Sequence, residues 1–352
     1  MIKEYSNLIV NKDDSILNIL KKMDDNNRKL LIVLDENTFI SVISIGDIQR
    51  AIINNIDLNS SIKNILRKDV RFAFEDDDLS IVKIHMRKHR NEFMPIISHL
   101  GKLVKIIFWE DLFNDKRIEI CEKLRLPVII MAGGRGSRLK PLTNILPKPL
   151  IPIRDKTIIE EIMDKFLECG CNDFFLSVNY KADIIRHYFS TLESNLYRVS
   201  YFQEDKPLGT AGSLHLLKGK INTTFFVTNC DIIIEQDYTD IYKYHKENNN
   251  EITVVAAIKQ YPIPYGTITT KENGLLDSII EKPEIIYKIN TGFYILEPHL
   301  LDEIPINTFY HITTLIDKLQ KENRNIGVFP ISQGSWLDMG DWDNYLRNVI
   351  NK

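Results

Sequence analysis

A short apolar run that ends in a cluster of glycines is the feature that most constrains how this chain can fold. Residues 128–131 have the apolar composition of a strand buried in a parallel sheet. Gly133, Gly134 and Gly136 follow at once, and glycine backbone lets N–H groups approach an anionic ligand closely. The next residues carry four cationic side chains and four prolines: Arg135, Arg138, Lys140, Lys148, Pro141, Pro147, Pro149 and Pro152. The sequence therefore predicts an anion-binding loop at the carboxyl end of a buried strand.

Neither of the two common phosphate-binding loops is present. No glycine is followed by Lys-Ser or Lys-Thr at the spacing of G-x-x-x-x-G-K-[ST], and Leu139 stands where the third glycine of G-x-G-x-x-G belongs. A glycine-rich surface turn with solvated charges is the alternative interpretation. Glycines, two spaced arginines and a lysine between prolines, all directly after a buried strand, favour the binding loop.

Length and composition narrow the range of functions. At 352 residues the chain is expected to form two domains, and its net charge of −3 gives no reason to expect a nucleic-acid partner. No apolar run approaches the roughly 20 residues of a membrane-spanning helix, and the first residues lack the apolar core of a signal peptide. Cys121, Cys169, Cys171 and Cys230 lack the spacing of a zinc site. We therefore expect reduced thiols, a cytoplasmic location and no membrane partner.

The first third of the chain repeats itself. Residues 29–48 align without a gap on residues 93–112, so that Ile32 matches Ile96 and Asp47 matches Asp111. Each copy reads as a helix, an apolar strand, a turn, an apolar strand and a short helix, and two such units can bury a shared face. We predict an α+β domain over 1–118, with repeats at about 1–60 and 61–118, a linker at 119–125 and a second domain over 126–352.

This repeat resembles a tandem pair of CBS domains, which commonly hold adenine nucleotides in the cleft between the copies. The resemblance implies a nucleotide site with Ser44 and Asp47 in the first copy and Asp111 in the second, where Phe108 replaces the hydroxyl residue. An adenine nucleotide is thus an expected regulatory ligand. The alternative is a module for oligomerisation or scaffolding, in which Asp47 only caps a helix over 48–53.

The second domain alternates strands and helices. Apolar runs predict strands at 174–178, 198–202, 225–228 and 252–258, and helical periodicity predicts helices at 157–168, 182–192 and 341–350. This order is typical of an α/β fold with a mostly parallel sheet, covered by helices on both faces, that binds ligands at the carboxyl ends of its strands. Asp231 comes directly after one such strand, where a carboxylate is costly to bury unless it meets a cation.

Residues 132–153 match, nearly position for position, the pattern AGG-x-G-[ST]-RL-x-PLT-xxx-PKPL-xPI of the sugar-1-phosphate nucleotidyltransferases. Later motifs of this family follow in order: E-x-x-PLGTAG at 204–212, an aspartate at 231, Y-G at 265–266, E-K-P at 281–283, N-T-G-x-Y at 290–294 and W-x-D-x-G at 336–340. The chain departs from the pattern at Asn229-Cys230, where a glycine usually precedes the aspartate. The resemblance implies a Rossmann-like sheet and the synthesis of an NDP-sugar and pyrophosphate from an NTP and a sugar-1-phosphate.

The resemblance also implies a role for individual residues. The implied nucleotide contacts are Ala132, Gly133, Gly134, Gly136, Ser137, Arg138, Glu204, Gly209 and Thr210. The implied sugar contacts are Gly266, Glu281, Asn290 and Thr291. The implied Mg²⁺ ligands are Asp231 and Asp338, and the implied catalytic residues are Arg138, Lys148, Asp231 and Lys282. Read from the residues alone, Thr210 can also cap a following helix.

The PLGTAG segment looks most like that of guanylyl- and cytidylyltransferases, so GTP is the favoured nucleotide. A CBS pair ahead of this domain resembles bacterial enzymes that make GDP-sugars, among them GDP-glucosamine for the legionaminic acid of surface glycans. Mannose-1-phosphate and heptose-1-phosphate are the competing substrates. A uridylyl-, cytidylyl- or thymidylyltransferase and an inactive regulatory homologue are the alternatives, and a homo-oligomer is expected.

Overall fold

The computed structural model describes residues 5–89, 91–113, 123–192 and 195–350. The chain divides into two compact units, Met1–Ile120 and Cys121–Lys352. This division falls inside the predicted linker at 119–125, of which residues 119–122 lie outside the described residues, as Cys121 does. No helix in the described ranges combines the length and the apolar character needed to cross a lipid bilayer.

The first unit contains two copies of one small α+β motif. The first copy consists of β1 (Ile9–Asn11), α1 (Ile16–Asp25), β2 (Leu30–Asp35), β3 (Thr38–Ser44) and α2 (Ile45–Ile53), followed by a 3-10 turn at Ile62–Ile65. The second consists of β4 (Ala73–Phe74), α3 (Leu79–His89), β5 (Phe93–Ile97), β6 (Leu103–Phe108) and α4 (Trp109–Leu112). The sheets β1-β2-β3 and β4-β5-β6 share one strand order and one pattern of parallel and antiparallel pairing. The two halves of the first unit thus share one topology.

Helix caps occupy equivalent positions in the two copies. The N–H of Ser44 donates to Asp47 Oδ2 at 2.8 Å, and the N–H of Phe108 donates to Asp111 Oδ2 at 2.9 Å. Because Ser44 and Asp47 form a capping box, α2 begins at Ile45 and not at residue 48 as predicted. Both predicted nucleotide contacts of the first copy therefore also define the start of a helix.

The second unit is built on a seven-stranded sheet. Its elements are β7 (Val128–Met131), α5 (Leu142–Ile145), β8 (Pro152–Ile153), β9 (Lys156–Thr157), α6 (Ile158–Glu168), β10 (Asp173–Val178), α7 (Ala182–Thr191), β11 (Arg198–Gln203), β12 (Phe225–Asn229), β13 (Ile232–Ile234), α8 (Tyr238–Glu247), β14 (Ile252–Pro262), β15 (Thr267–Thr270), β16 (Leu276–Ile280), β17 (Glu284–Leu296), α9 (Ile312–Lys321), β18 (Ile326–Ser332), β19 (Trp336–Asp338) and α10 (Trp342–Ile350). Short 3-10 turns lie at Ser137–Leu139, Lys148–Leu150, Gly212–Leu217, Glu272–Gly274 and Pro298–Glu303.

The strand order of the large sheet is β11-β10-β7-β12-β17-β14-β18. All neighbouring pairs are parallel except those that β17 makes with β12 and β14. Two apolar clusters cover the sheet, one with α6 and Phe166 at its centre and the other with Leu214 and Leu315. The predicted α/β class with a mostly parallel sheet is confirmed, whereas the antiparallel β17 and the separate β15–β16 ribbon were not predicted.

Candidate active site

The direction of the chain across the sheet reverses beside β7. From β7 the chain continues to β10 and β11 on one side, and then returns to β12 on the other. Loops that leave two strands at such a switch point diverge and leave a crevice outside their carboxyl ends. Met131 and Asn229, the last residues of β7 and β12, pair in register. The glycine loop and Asp231 therefore both start from the edges of this crevice.

The conformation of the glycine loop explains Gly136. Its φ is +61°, and a Cβ there would lie 2.7 Å from Thr143 Cγ2 and 3.1 Å from Lys148 Cβ. Its carbonyl accepts a hydrogen bond of 2.9 Å from the Thr143 hydroxyl. Any side chain at position 136 would thus strain the backbone and push Lys148 away. Ala132 is fully buried, and its N–H donates to the Ser177 carbonyl, which ties the start of the loop to β10.

Asp231 and Asp338 are brought together by the pairing of β13 with β19. Ile232 pairs with Asp338, and the N–H of Met339 donates to the Asp231 carbonyl at 2.8 Å. A Cβ placed on Gly340 would lie 2.7 Å from Asp338 Oδ1 and 2.9 Å from Asp231 Oδ2. The two carboxylate oxygens are therefore no further apart than the sum of these distances. The sequence placed these residues 107 positions apart, and strand pairing makes them neighbours.

Two cationic side chains accompany this pair of carboxylates. Lys148 forms an ion pair with Asp231 Oδ2, and both residues are less than a tenth exposed. A Cβ placed on Gly340 would also lie 3.0 Å from Arg138 Nη2, so the guanidinium lies beside the two carboxylates. Burial, together with the charge of Asp231, raises the pKa of the Asp338 carboxyl. The site thus brings two carboxylates and two cations together in a poorly solvated place.

The cysteine next to Asp231 is a buried, apolar neighbour of the carboxylate. Cys230 is buried, and burial together with the charge of Asp231 raises the pKa of its thiol to about 12. The thiol is therefore neutral at physiological pH and packs as a small apolar group.

The donor set fits a hard divalent cation that a substrate helps to bind. Mg²⁺ in phosphate-transfer sites is typically held by one or two carboxylates, with phosphate oxygens and water completing the octahedron. Asp231 and Asp338 supply two carboxylates in one place. Within the described ranges, no group of three or more His, Cys, Asp and Glu side chains gathers that could hold a metal ion without a substrate.

The far side of the crevice is formed by the loop at 204–212. Glu204 is 8% exposed, and its Oε2 accepts a hydrogen bond of 3.0 Å from the N–H of Leu208. Its Oε1 would lie 3.2 Å from a Cβ on Gly133, so the carboxylate faces the glycine loop. Burial raises the pKa of Glu204 above its usual value, although the Leu208 N–H opposes this. Asn179 donates to the Glu204 carbonyl at 3.0 Å and fixes the start of the loop.

Thr210 does not cap the turn that follows it. That turn, Gly212–Leu217, begins after Ala211 and has no side-chain cap. The hydroxyl of Thr210 instead accepts a hydrogen bond of 3.1 Å from the N–H of Ile312, the first residue of α9. The predicted cap is therefore wrong in its target: Thr210 caps a helix that begins about a hundred residues later in the chain.

These loops surround a cavity of about 580 Å³. Ten of the predicted nucleotide, metal and catalytic residues line it: Gly133, Gly134, Gly136, Ser137, Arg138, Lys148, Glu204, Gly209, Thr210 and Asp231. Asp338 lies at its edge beside Gly340, which also lines it. The size suits a nucleotide, and the lining combines exposed N–H groups, cations and carboxylates.

The predicted sugar contacts lie apart from the lining of this cavity in the described structure. Glu281 and Lys282 are exposed at the end of the β15–β16 ribbon, and Gly266 lies close to Glu281 Oε2. Asn290 is exposed on β17 and donates to the Tyr294 hydroxyl at 2.8 Å. Thr291 is 2% exposed, and its hydroxyl donates to the Val255 carbonyl at 2.8 Å, so that its side chain is part of the sheet interior.

Trp336 offers a buried donor on the strand that carries Asp338. Its indole N–H is buried and has no hydrogen-bond partner among the described residues. Trp336 opens β19, two residues before Asp338. A buried donor without a partner is costly unless a ligand or water accepts from it.

Sequence reasoning missed several residues that line the cavity. Asn179 and Ser177 come from the end of β10, and Phe309 and His311 come from the segment before α9. The polar residues after β10 could have been found, since the carboxyl ends of parallel strands meet at one edge. No motif or periodicity marks Phe309 or His311, because a distant loop brings them to the cavity.

The first unit contains a second cavity, of about 460 Å³. Its lining includes Arg50, Arg67, Lys68 and Arg71. Asp47 is 5% exposed and is engaged by these cations: Arg67 Nε donates to both of its oxygens, at 2.9 and 2.8 Å, and Arg50 forms a further ion pair with it.

The ion pairs of Asp47 bear on its predicted role. Burial raises the pKa of this carboxyl, but the hydrogen bonds from Arg67 and Ser44 outweigh burial, so the pKa lies below its usual value. The Ser44 hydroxyl also contacts both Asp47 and Arg67. In this structure Ser44 and Asp47 are thus engaged within the protein, while Asp111 is exposed and caps α4.

Comparison with known proteins is consistent with this architecture. The family model for nucleotidyl transferases matches residues 127–350, and the model for the CBS domain matches residues 2–54. The mannose-1-phosphate guanylyltransferase catalytic subunit beta of Dictyostelium discoideum is 36% identical over 242 residues, with 64% of each chain covered. The mannose-1-phosphate guanyltransferase of Yarrowia lipolytica is 34% identical over 229 residues, with 63% of this chain and 62% of the relative covered. The chain thus spans slightly less than two thirds of the length of these relatives.

The second unit of this chain has the same fold as a solved structure. HddC from Yersinia pseudotuberculosis superimposes with a TM-score of 0.50 at 26% identity, over 64% of this chain and 99% of HddC. The family model covers well over half of this chain, and the sheet, the glycine loop and the carboxylate pair lie within the matched residues. The chain therefore belongs to the nucleotidyl transferase family and carries a CBS domain ahead of its nucleotidyl transferase domain.

Proposed function

We propose that this protein is a sugar-1-phosphate nucleotidyltransferase that uses GTP and releases pyrophosphate. The observation that carries the proposal is the meeting of Asp231 and Asp338 with Lys148 and Arg138 beside the glycine loop. Two carboxylates and two cations from four separate parts of the chain are suited to hold a metal–triphosphate complex. The mannose-1-phosphate guanylyltransferases among the relatives favour the same reaction class.

In the proposed reaction an oxygen of the sugar phosphate attacks the α-phosphorus of the nucleotide in line. A new P–O bond forms, the bond to the β-phosphate oxygen breaks, and pyrophosphate leaves with the electron pair. The attacking oxygen is already ionised at neutral pH, so no general base is required. Repulsion between two anions is the main obstacle, and positioning with positive charge reduces it.

The side chains around the cavity divide this work. The N–H groups of residues 133–136 and the Arg138 guanidinium bind the triphosphate. Lys148 neutralises phosphate charge close to Asp231. Lys282, assigned from the family pattern, brings in the sugar phosphate, and Gly266, Glu281 and Asn290 contact the sugar. This requires the β15–β16 ribbon, which ends next to Lys282, to approach the cavity. The side chain of Thr291 is buried in the sheet, so only the backbone of Thr291 is left to contact the sugar. Asp231 and Asp338 would hold Mg²⁺, which when bound offsets charge on the α-phosphate.

Guanine is the base that best matches Glu204. A carboxylate only accepts hydrogen bonds, and one of its oxygens already accepts from Leu208. The pairing edge of guanine presents two adjacent N–H donors, whereas uracil and thymine present one N–H between two carbonyl oxygens that a carboxylate would repel. The alternatives, a cytidylyl-, uridylyl- or thymidylyltransferase, are tested by the same assay.

Glucosamine-1-phosphate is the sugar substrate that we favour. It follows from the CBS module ahead of the catalytic domain, which resembles enzymes that supply GDP-glucosamine for the legionaminic acid of surface glycans. Mannose-1-phosphate, the substrate named for the relatives, and heptose-1-phosphate are the competitors. The cationic cavity of the first unit favours an anionic regulator such as an adenine nucleotide, and an assembly role in a homo-oligomer is the other proposal for this unit.

One panel of assays tests the proposal. Each NTP is combined with glucosamine-, mannose- and heptose-1-phosphate in the presence of Mg²⁺, with and without AMP or ATP, and pyrophosphate is measured. We expect turnover with GTP, and a change in turnover on adding adenine nucleotide if the first unit is a sensor. Asp231→Ala and Arg138→Ala should fold and lose at least about 100-fold in kcat/KM. Near-normal turnover in either variant would remove the site assignment, and no pyrophosphate from any combination would favour an inactive homologue.

A further inference from the structure

One segment outside every recognised motif runs beside the loop at 204–212, which lines the cavity. The Tyr310 carbonyl accepts hydrogen bonds of 3.0 Å from the N–H groups of both Ala211 and Gly212, and the N–H of Tyr310 donates to the Leu208 carbonyl at 2.9 Å. We name residues 308–311 the strap. The strap is therefore bound by backbone hydrogen bonds to the loop whose family counterpart contacts the nucleotide base.

The two glycines of this loop make room for the strap. A Cβ on Gly209, whose φ is +81°, would lie 2.8 Å from the Tyr310 carbonyl oxygen. A Cβ on Gly212 would lie 2.6 Å from the Thr308 carbonyl oxygen. The Tyr310 oxygen cannot move without breaking its two hydrogen bonds, and the Thr308 carbonyl lies two residues earlier in the same segment. The close approach of the strap thus explains why both positions are glycine. The loop and the strap pack together as one structural element.

The side chains of the strap face the same cavity. Phe309 and His311 both line it, together with Pro207, Gly209 and Thr210 of the loop. Phe309 is 60% exposed, and its ring lies edge-on to the His311 ring with centroids 4.8 Å apart. His311 Nδ1 lies 3.3 Å from the Thr210 hydroxyl, which also caps α9. A large aromatic ring therefore lines the cavity and remains largely exposed.

We propose that the strap is the second wall of the base-binding subsite, with the Phe309 ring stacking on the nucleobase and His311 positioning that ring. The inference rests on the proposed function, which places a nucleotide in this cavity. Glu204 reads the edge of the base from one side, while Phe309 covers its face. Stacking on an aromatic side chain stabilises a bound base, and the effect is larger for the wider purine ring. The strap thus favours purine over pyrimidine nucleotides.

Equilibrium binding to the full-length protein tests the wall. The dissociation constants of GTP, UTP and inorganic tripolyphosphate are measured by calorimetry with Mg²⁺ present. We expect Phe309→Ala to weaken GTP binding about 5- to 30-fold, to weaken UTP binding less, and to leave tripolyphosphate binding unchanged, since stacking acts on the base alone. Phe309→Tyr should retain affinity, and His311→Ala should show a smaller loss with the same split between GTP and tripolyphosphate.

The control variant lies two residues before the strap. Ile306 is 73% exposed and does not line the cavity, so Ile306→Ala should bind all three ligands as the unmodified protein does. Equal GTP affinity in Phe309→Ala and the unmodified protein would refute the proposal that Phe309 stacks on the base. An equal loss of affinity for GTP and tripolyphosphate would refute it as well. If the unmodified protein binds neither GTP nor tripolyphosphate, the proposed function itself fails, which is a different outcome.

Discussion

The buried ion pair between Lys148 and Asp231 yields a prediction that can be worked out quantitatively. Both residues are less than a tenth exposed, and Asp231 also lies close to Asp338. Removing one partner of a buried pair typically costs 3–5 kcal/mol, because the other charge stays buried without compensation. Arg138 remains beside the carboxylates, so we expect Lys148→Met to lower the free energy of unfolding by about 3 kcal/mol, at the lower end of that range.

A double-mutant cycle separates the pair from its surroundings. Asp231→Asn alone should also destabilise the protein, since it leaves Lys148 without its partner. The double variant should be about 2 kcal/mol more stable than the sum of the single effects predicts, because no charge is then left unpaired. Urea unfolding of the full chain, followed by tryptophan fluorescence, measures these differences, since Trp336 and Trp342 both lie in the second unit. Additive effects, or losses below about 1 kcal/mol, would refute the reasoning.

The same variant probes the proposed metal site. Without Lys148 the two carboxylates lose a counter-charge, so Mn²⁺ should bind the nucleotide-free Lys148→Met protein at least about 10-fold more tightly than the unmodified protein. Electron paramagnetic resonance of free Mn²⁺ reports this affinity without any turnover. Lys165→Met is the matched control, because Lys165 pairs with Glu235 at 3.4 Å on a more exposed surface. Unchanged Mn²⁺ affinity in Lys148→Met would mean that the lysine does not compete for the carboxylates.

Two further predictions concern recognition of the nucleobase and stability at acid pH. Glu204→Gln replaces a pure acceptor by a group that also donates, so kcat/KM for GTP should fall about 10- to 100-fold while kcat/KM for UTP does not, as measured by pyrophosphate release; equal losses would contradict base reading. Hydrogen bonds from Arg324, with a smaller contribution from His299, lower the pKa of Glu251 from 4.5 to about 2. Because the pKa of Glu251 is lower in the folded protein than in the unfolded chain, its pairing with Arg324 stabilises the protein above pH 4.5. About 1–2 kcal/mol of the free energy of unfolding should be lost as pH falls towards 2. Urea unfolding across this range should show the loss, and Arg324→Met should abolish that part of the pH dependence.

The features that sequence reasoning predicted well are local in the chain. A buried strand that ends in Gly133–Gly136 and an aspartate directly after β12 are readable because strand, loop and charge are contiguous. The repeat in the first unit was equally readable, since a gapless alignment needs no knowledge of the fold. The mostly parallel sheet followed from the alternation of elements.

The features that sequence reasoning missed depend on distant contacts. Phe309 reaches the cavity only because the Tyr310 carbonyl pairs with the loop at Ala211 and Gly212, about a hundred residues earlier. Asp47 was a candidate nucleotide contact because Ser44 and Asp47 resemble the ribose-binding pattern of CBS pairs, yet Arg67, from outside both aligned segments, forms hydrogen bonds with it. No periodicity or motif predicts either contact. Each depends on how distant elements pack, and their separation in the sequence does not tell how close they lie in space.

Gly340 shows how the local and the distant parts of the site depend on each other. The W-x-D-x-G pattern drew attention to Asp338, and the glycine two residues later had no assigned role. In the structure the N–H of Gly340 donates to Asp338 Oδ1 at 2.7 Å, and a side chain there would collide with Asp338, Asp231 and Arg138 at once. The glycine is therefore required because three charged groups from three separate segments converge on the space that its missing Cβ leaves open. A residue that carries no functional group is thus what allows the carboxylates and the arginine to meet.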